Sequence, residues 1–339
     1  MTPDPAIALV IFFILVFVGV LLWKINKSPF LLQNVKQSKK TLVEDILKQL
    51  YHVEYSGRTA SLNAMAGALK LTDRKLVRLV EEMSFRDLLK LDQDILQLTS
   101  SGRDYALKII RVHRLWEKYL SERTGFDKSE WHDRAEQKEH TLTEEQAKQL
   151  YHDLGNPRFD PHGDPIPTEA GEIIETHWKS LSSLSENTEA RIVHLEDEPE
   201  VIYQQIVSEK LHIGSQVKII ASYNHEVKFY SEGEEYKLSP IVASNISVKE
   251  LTAQEKFEED IVRLSSLDPG EKAIMLGISS ECRGASRRRL LDLGFIAGSS
   301  IETEFTSPSK ELKAYSIRNT IIALRGDQSD LILIKKVNE

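Results

Sequence analysis

Residues 113–140 read HRLWEKYLSERTGFDKSEWHDRAEQKEH, and the spacing of charged side chains inside this stretch decides how the chain is organised. His113 and Glu117 stand four apart, while His132, Glu136, Glu139 and His140 fall at i, i+4, i+7 and i+8. Each set therefore lies on one face of a helix. Two such faces packed together can close around a divalent cation. Imidazole suits Mn, Fe, Ni, Co and Zn, carboxylates favour the harder members of that series, and the stretch holds no cysteine, which argues against a structural thiolate zinc site. Solvated helices with their charges in water are the bland alternative; all six residues together favour the metal.

The chain has 339 residues, 41% of them hydrophobic, enough for two to four compact cores. Its one cysteine, Cys282, excludes an internal disulfide framework and fits a reducing compartment. A net charge of −8 argues against a general polyanion binder, so any contact with nucleic acid has to come from a local basic surface.

Residues 6–23, AIALVIFFILVFVGVLLW, form an uncharged apolar run just long enough to span a hydrocarbon core. Lys24, Lys27, Lys36, Lys39 and Lys40 follow it. That excess predicts a single-pass helix in the inner (cytoplasmic) membrane, N-terminus outside and the bulk in the cytoplasm. A cleaved signal peptide is disfavoured by the missing basic leader and small-residue cleavage site. Residues 24–40 read as a linker.

Leu42, Ile46, Leu50 and Val53 mark an amphipathic helix ending near Gly57; residues 61–69 and 72–83 predict two more. On the third, Leu76, Leu79, Val80 and Met83 form a buried stripe, and Arg74, Lys75 and Arg78 project from its first turns, where a recognition helix presents side chains to the major groove. The pairs Leu89/Leu91 and Leu96/Leu98 flank Asp92-Gln93-Asp94 and read as a wing.

Residues 98–120 (LTSSGRDYALKIIRVHRLWEKYL), 124–145 (TGFDKSEWHDRAEQKEHTLTEE) and 154–167 (LGNPRFDPHGDPIP) resemble the diphtheria toxin repressor family of metal-dependent transcription regulators, a likeness that runs from about Leu42 to Leu251. The resemblance implies a winged helix followed by a helical dimerisation and metal-binding domain, a homodimer on double-stranded DNA, and metal control of the spacing of two recognition helices. It also implies that His113, Glu117 and His132 are an ancillary metal set, and that Glu136, Glu139 and His140, with Asp45 from the first helix, are the primary one. Glu136 and Asp45 stand where iron-type members place a cysteine and a methionine, which resembles the manganese type; Lys48 stands where that type carries a further acidic ligand. The implied cofactor is Mn(II) or Fe(II). Arg74, Lys75 and Arg78, on the helix that Thr72 opens, match positions used against DNA.

Past Pro167 the sequence is polar and helix-prone up to Ala190, and then alternates. HIGSQVKII (212–220) is echoed by IAGSSIETEF (296–305), and SNISVKEL (244–251) by SDLILIKKV (329–337), as two copies of a small β-barrel would be. The first resembles the SH3-like arm of iron-type repressors, in which Gln205 matches one metal ligand and Ile202 occupies the position of the other. The second, with GASRRRLLDLGFIAGSSIE and IRNTIIALRG, resembles the ferrous iron transport A (FeoA) domain, whose family is thought to work beside an iron permease.

The expected architecture is thus α+β and multidomain: a transmembrane helix (6–23), a winged helix-turn-helix (41–105), a helical dimerisation and metal-binding domain (106–176), a linker (177–190), an SH3-like barrel (191–251) and a FeoA-like SH3-like barrel (261–338). Nucleophile, phosphate-loop and hydride motifs are absent, and Cys282 and Arg287–Arg289 read as an incidental thiol and a solvated face. The expected function is a membrane-tethered, non-enzymatic regulator that represses metal-uptake genes. A membrane adaptor acting on a ferrous iron permease through the FeoA-like domain is the competing class.

Overall fold

The first layer of structure is set by caps and apolar spacing. A computed structural model describes residues 38–309 and 311–337. It divides into two compact units, one ending at Ala106 and one beginning at Leu107.

In the first unit, Ser38 caps α1 (Lys39–Tyr55) by accepting from the Thr41 amide at 3.1 Å, and the helix buries Leu42, Ile46, Leu47 and Leu50. Two short helices follow, α2 (Leu62–Ala68) and α3 (Asp73–Phe85). Strands β1 (Ala60–Ser61), β2 (Leu89–Asp92) and β3 (Ile95–Leu98) form a sheet in the order β1-β3-β2, and the β2–β3 hairpin is the wing. Helix α1 packs on β3, and Glu54 from its last turn accepts the Leu98 amide at 2.7 Å. The next helix, α4 (Ser100–Arg123), begins so close to the wing that a Cβ on Gly102 would stand 1.7 Å from the Leu88 carbonyl oxygen. Only glycine fits there.

The second unit continues with α5 (Lys128–Glu139) and α6 (Glu144–Asp153), each opened by a capping box, Asp127 with Glu130 and Thr143 with Gln146. Two six-stranded barrels follow. The first holds β4 (Lys179–Ser180), β5 (Glu189–Leu195), α7 (Glu200–Ser208), β6 (Gln216–Ser222), β7 (Val227–Ser231), β8 (Glu234–Leu238), α8 (Pro240–Ser244) and β9 (Ile246–Glu250), in strand order β4-β9-β5-β6-β7-β8. The second holds β10 (Ile261–Arg263), β11 (Lys272–Ile278), α9 (Gly284–Asp292), β12 (Ser300–Thr306), β13 (Leu312–Ile317), β14 (Thr320–Arg325), α10 (Gly326–Ser329) and β15 (Ile332–Lys336), in the corresponding order β10-β15-β11-β12-β13-β14. The sequence echo is therefore a structural duplication. Each barrel has its own core, around Phe229 and Ile219 in one and around Tyr315 and Phe295 in the other.

Two expectations change. Residues 167–190 form no α-helix, and the first barrel begins at Lys179, inside the stretch read as a linker, because β4 pairs with β9 through Lys179 and Val248. The expectation of a fold opening with a transmembrane helix, and of a single-pass location in the inner membrane, is corrected: among the described residues no helix is long and apolar enough to cross a membrane. Even α4, at 24 residues, is interrupted throughout by Arg, Lys, Asp and Glu. The run at residues 6–23 lies outside the described residues.

Candidate metal centre

The i, i+4 spacing on α4 puts His113 and Glu117 on its buried face, with His113 Nε2 3.1 Å from Glu117 Oε1. From α5, His132 approaches the same carboxylate, Nδ1 to Oε1 at 3.6 Å, and its ring lies edge-on to that of His113. The three offer ligand atoms all within 4.8 Å of one another.

Two further residues join them. The loop at residues 157–166 is pinned by Arg114, which donates to Asp164 Oδ1 at 2.9 Å and to the Pro165 carbonyl at 2.6 Å, while Asp160 accepts the His162 and Asp164 amides at 2.8 and 2.9 Å. This turns His162 inward, with Nε2 4.0 Å from Glu117 Oε1. The Leu195 amide donates to the His162 carbonyl at 2.9 Å, which draws the end of β5 onto that loop and brings Asp197 to 3.6 Å from His132 Nδ1 and 3.9 Å from His162 Nε2. Glu117, His162 and Asp197 form a second group with ligand atoms within 4.8 Å.

The electrostatics of the cluster are set by its burial and by the histidines and carboxylates that face one another. Glu117 Oε1, His132 Nδ1 and His162 Nε2 are buried and face one another at ion-pair distances without a well-formed hydrogen bond. Burial alone would raise the Glu117 carboxyl, but His113, His132 and His162 outweigh it and hold it well below its usual value. Burial likewise works against charge on His132, yet Asp197, Glu117 and Glu136 push its pKa up to about 12. Buried carboxylates are thus neutralised by a proton on imidazole, at a place where a divalent cation fits the donor set of nitrogens and oxygens.

The other set is more open. Glu139 is buried and touches both His113 Nδ1, at 2.5 Å, and His140 Nε2, at 3.5 Å; Glu136 is exposed, 3.5 Å from His132. Asp45 is half-buried on α1 in the first unit. Gln205 is exposed on α7, and Ile202 packs against the barrel core. Asp197 is the arm residue whose carboxylate reaches both His132 and His162.

On α3, Thr72 is the N-cap residue, and Thr72, Arg74, Lys75 and Arg78 are exposed, opposite the buried Leu76, Leu79, Val80 and Met83. Arg78 is weakly engaged, 3.8 Å from Glu82.

His162 and Asp197 were missed in the sequence. His162 sits in the quoted DPHGDP run, which carried a signal; Asp197 sits in a loop with none.

Two family models match: "Iron dependent repressor, metal binding and dimerisation domain" over residues 99–168, and "FeoA domain" over residues 262–336. The chain is similar to the diphtheria toxin repressor of Corynebacterium glutamicum, 30% identical over 189 residues, covering 52% of this chain and 82% of that protein. It is also similar to a probable metal transport system membrane protein of Chlamydia trachomatis, 46% identical over 70 residues, which are 21% of this chain and only 16% of that protein's length. A solved manganese-dependent transcriptional repressor in complex with manganese shares the fold, with a TM-score of 0.57 at 24% identity, covering 62% of this chain and 100% of that one.

Proposed function

We propose a function from the premise that this chain belongs to the diphtheria toxin repressor family and also carries a FeoA domain. It is a metal-dependent transcriptional repressor and not an enzyme, as its matched family relative is a repressor. Beyond that, we assign Mn(II) or Fe(II) as the cation, in line with the manganese- and iron-dependent repressors to which the chain is similar. The regulator acts as a homodimer on double-stranded DNA and represses metal-uptake genes when that cation is replete.

One ligand set comprises His113, Glu117 and His132 from the helices, with His162 and Asp197; the other comprises Glu136, Glu139 and His140. Asp45 and Gln205 are proposed as ligands in their own right, each tested by its alanine variant. The observation that carries the reading is the buried Glu117 carboxylate, with three histidines and Asp197 around it and its Oε1 lacking a well-formed hydrogen bond. A bound divalent cation supplies the positive charge that this group of side chains converges on. Every candidate donor is nitrogen or oxygen, which suits the harder divalent ions.

Thr72, Arg74, Lys75 and Arg78 are proposed to meet DNA, the lysine and arginines neutralising phosphates and reading base edges from α3. Metal then controls DNA affinity by binding the DNA-competent form more tightly, since only such a difference shifts the equilibrium.

Calorimetry of the full chain with Mn(II) tests the ligand assignment. Glu136→Ala with His140→Ala should remove one binding event, and Glu117→Gln with His132→Ala the other. Binding unchanged in both pairs would overturn the assignment. Glu136→Cys should move preference toward softer cations.

A further inference from the structure

The two barrels share more than strand order. In the first, β5 meets β9 through Ile192↔Val248, His194↔Ser247 and Leu195↔Ile246, with an irregularity after Ile192. In the second, β11 meets β15 through Met275↔Ile334, Gly277↔Leu333 and Ile278↔Ile332, with the same irregularity after Met275. Leu195 and Ile278 are therefore equivalent last rungs, and Glu198 and Glu281 occupy the same place three residues later.

Both glutamates face α5, one helical turn apart. Glu198 Oε1 lies 3.8 Å from His132 Nε2, and Glu281 forms an ion pair with Lys128, four residues earlier on the same helix. The first barrel meets a side chain of the metal cluster. The second meets Lys128, which belongs to neither proposed ligand set.

The loop at residues 279–283 ties three parts of the second unit together. Ser279 Oγ pairs with His212 Nε2 of the first barrel at 2.8 Å, and Ser280 Oγ donates to the Ile213 carbonyl of the same barrel. Glu281 holds α5. Arg283 Nη1 donates to Ser121 Oγ in the last turn of α4 at 3.4 Å, and Gly284 presses so near the chain between α4 and α5 that an added Cβ would stand 2.9 Å from the Thr124 carbonyl oxygen. Beside the loop, Arg263 of the second barrel is paired with Glu232 of the first at 3.0 Å, both buried.

We propose that the C-terminal barrel is a second, metal-independent arm: its 279–283 loop clamps the first barrel to the α4–α5 elbow and holds Asp197 against His132 and Glu117 before a cation binds. This rests on the metal reading above for its purpose, though not for the clamp itself. Glu281 and Lys128 are positioning residues, and neither is a ligand. If Asp197 is in place only a fraction of the time, apparent metal affinity at the cluster falls by that fraction.

The test uses the full chain with Glu281→Lys, Lys128→Glu and the double charge swap. Mn(II) titration should show a cluster affinity weakened about tenfold in each single variant, as for a cluster assembled about a tenth of the time, and restored in the swap. Hydrogen exchange of the Leu195 amide without metal reads the clamp directly: faster in both single variants, parental in the swap. The partly exposed Lys128 and Glu281 can be replaced without disturbing either barrel core. Parental exchange at Leu195 in the single variants overturns the clamp whatever metal does. Accelerated exchange that the swap fails to restore overturns this ion pair as its latch. If Glu117→Gln leaves Mn(II) affinity untouched while exchange behaves as proposed, the metal reading fails and the clamp stands; if Glu117→Gln abolishes cluster binding and the single variants bind like the parent, preorganisation by the second arm is overturned.

Discussion

Glu139 of α5 meets His113 of α4 through Nδ1, at 2.5 Å, the ring nitrogen opposite the one that faces Glu117 at 3.1 Å. One imidazole thus joins a carboxylate of each proposed ligand set. A carboxylate on the far nitrogen of a metal-binding histidine fixes its tautomer and raises its basicity, and loss of such a partner typically costs roughly 10- to 100-fold in metal affinity. Here that partner belongs to the other set.

His113→Ala is therefore expected to weaken both binding events in a two-site Mn(II) titration, whereas Glu136→Ala weakens chiefly one. A loss confined to one event in the His113 variant would show that the two sets are independent.

Acid stability should depend on His212. Burial holds its pKa below the usual value, Arg263 adds to that, and Glu232 and Glu281 oppose it only in part. Above about pH 6.5 the residue is neutral in folded and unfolded chains alike; as pH falls below that value the unfolded chain takes a proton that the folded chain refuses. Stability should drop there, and His212→Gln should flatten the drop in urea unfolding followed from pH 7.5 to 5. An unchanged profile would mean His212 does not carry the effect.

Gly102→Ala is expected to cost about 3 kcal/mol, because its Cβ would stand 1.7 Å from the Leu88 carbonyl oxygen and α4 would have to shift against the wing. Gly57→Ala, at a position with open space but φ +72, should cost about 1 kcal/mol. Denaturant midpoints compare the two.

Binding to promoter DNA of its own locus should weaken steeply with salt as phosphate counterions are released. Replacing Arg74, Lys75 and Arg78 by alanine should lower the slope of log affinity against log salt by up to about 3 while leaving Mn(II) affinity unchanged. A slope that stays put would place the DNA contacts elsewhere.

What the sequence made legible follows from periodicity. His113/Glu117 and His132/Glu136/Glu139/His140 announce shared helix faces, and both barrels announce themselves by their echo. Asp197 could not be found this way, since it reaches His132 through a loop 65 positions later whose approach depends on the Leu195 amide bonding the His162 carbonyl. Strand β4, two residues long, is too short to carry an alternation and was absorbed into a linker. Gln205 is offered by its match to a family position, whereas no such match points to Asp197, which the register of β5 brings to the cluster. The apolar run at residues 6–23 suggested a membrane span, and among the described residues no helix supports one.

The most direct test of the account is fluorescence anisotropy of labelled promoter DNA with the full chain at fixed salt, with and without Mn(II). The account predicts at least about tenfold tighter binding with Mn(II), equivalent to about 1.4 kcal/mol of coupling, and little such gain in Glu117→Gln with His132→Ala. Equal affinity with and without Mn(II) or Fe(II) in the unaltered chain would contradict it.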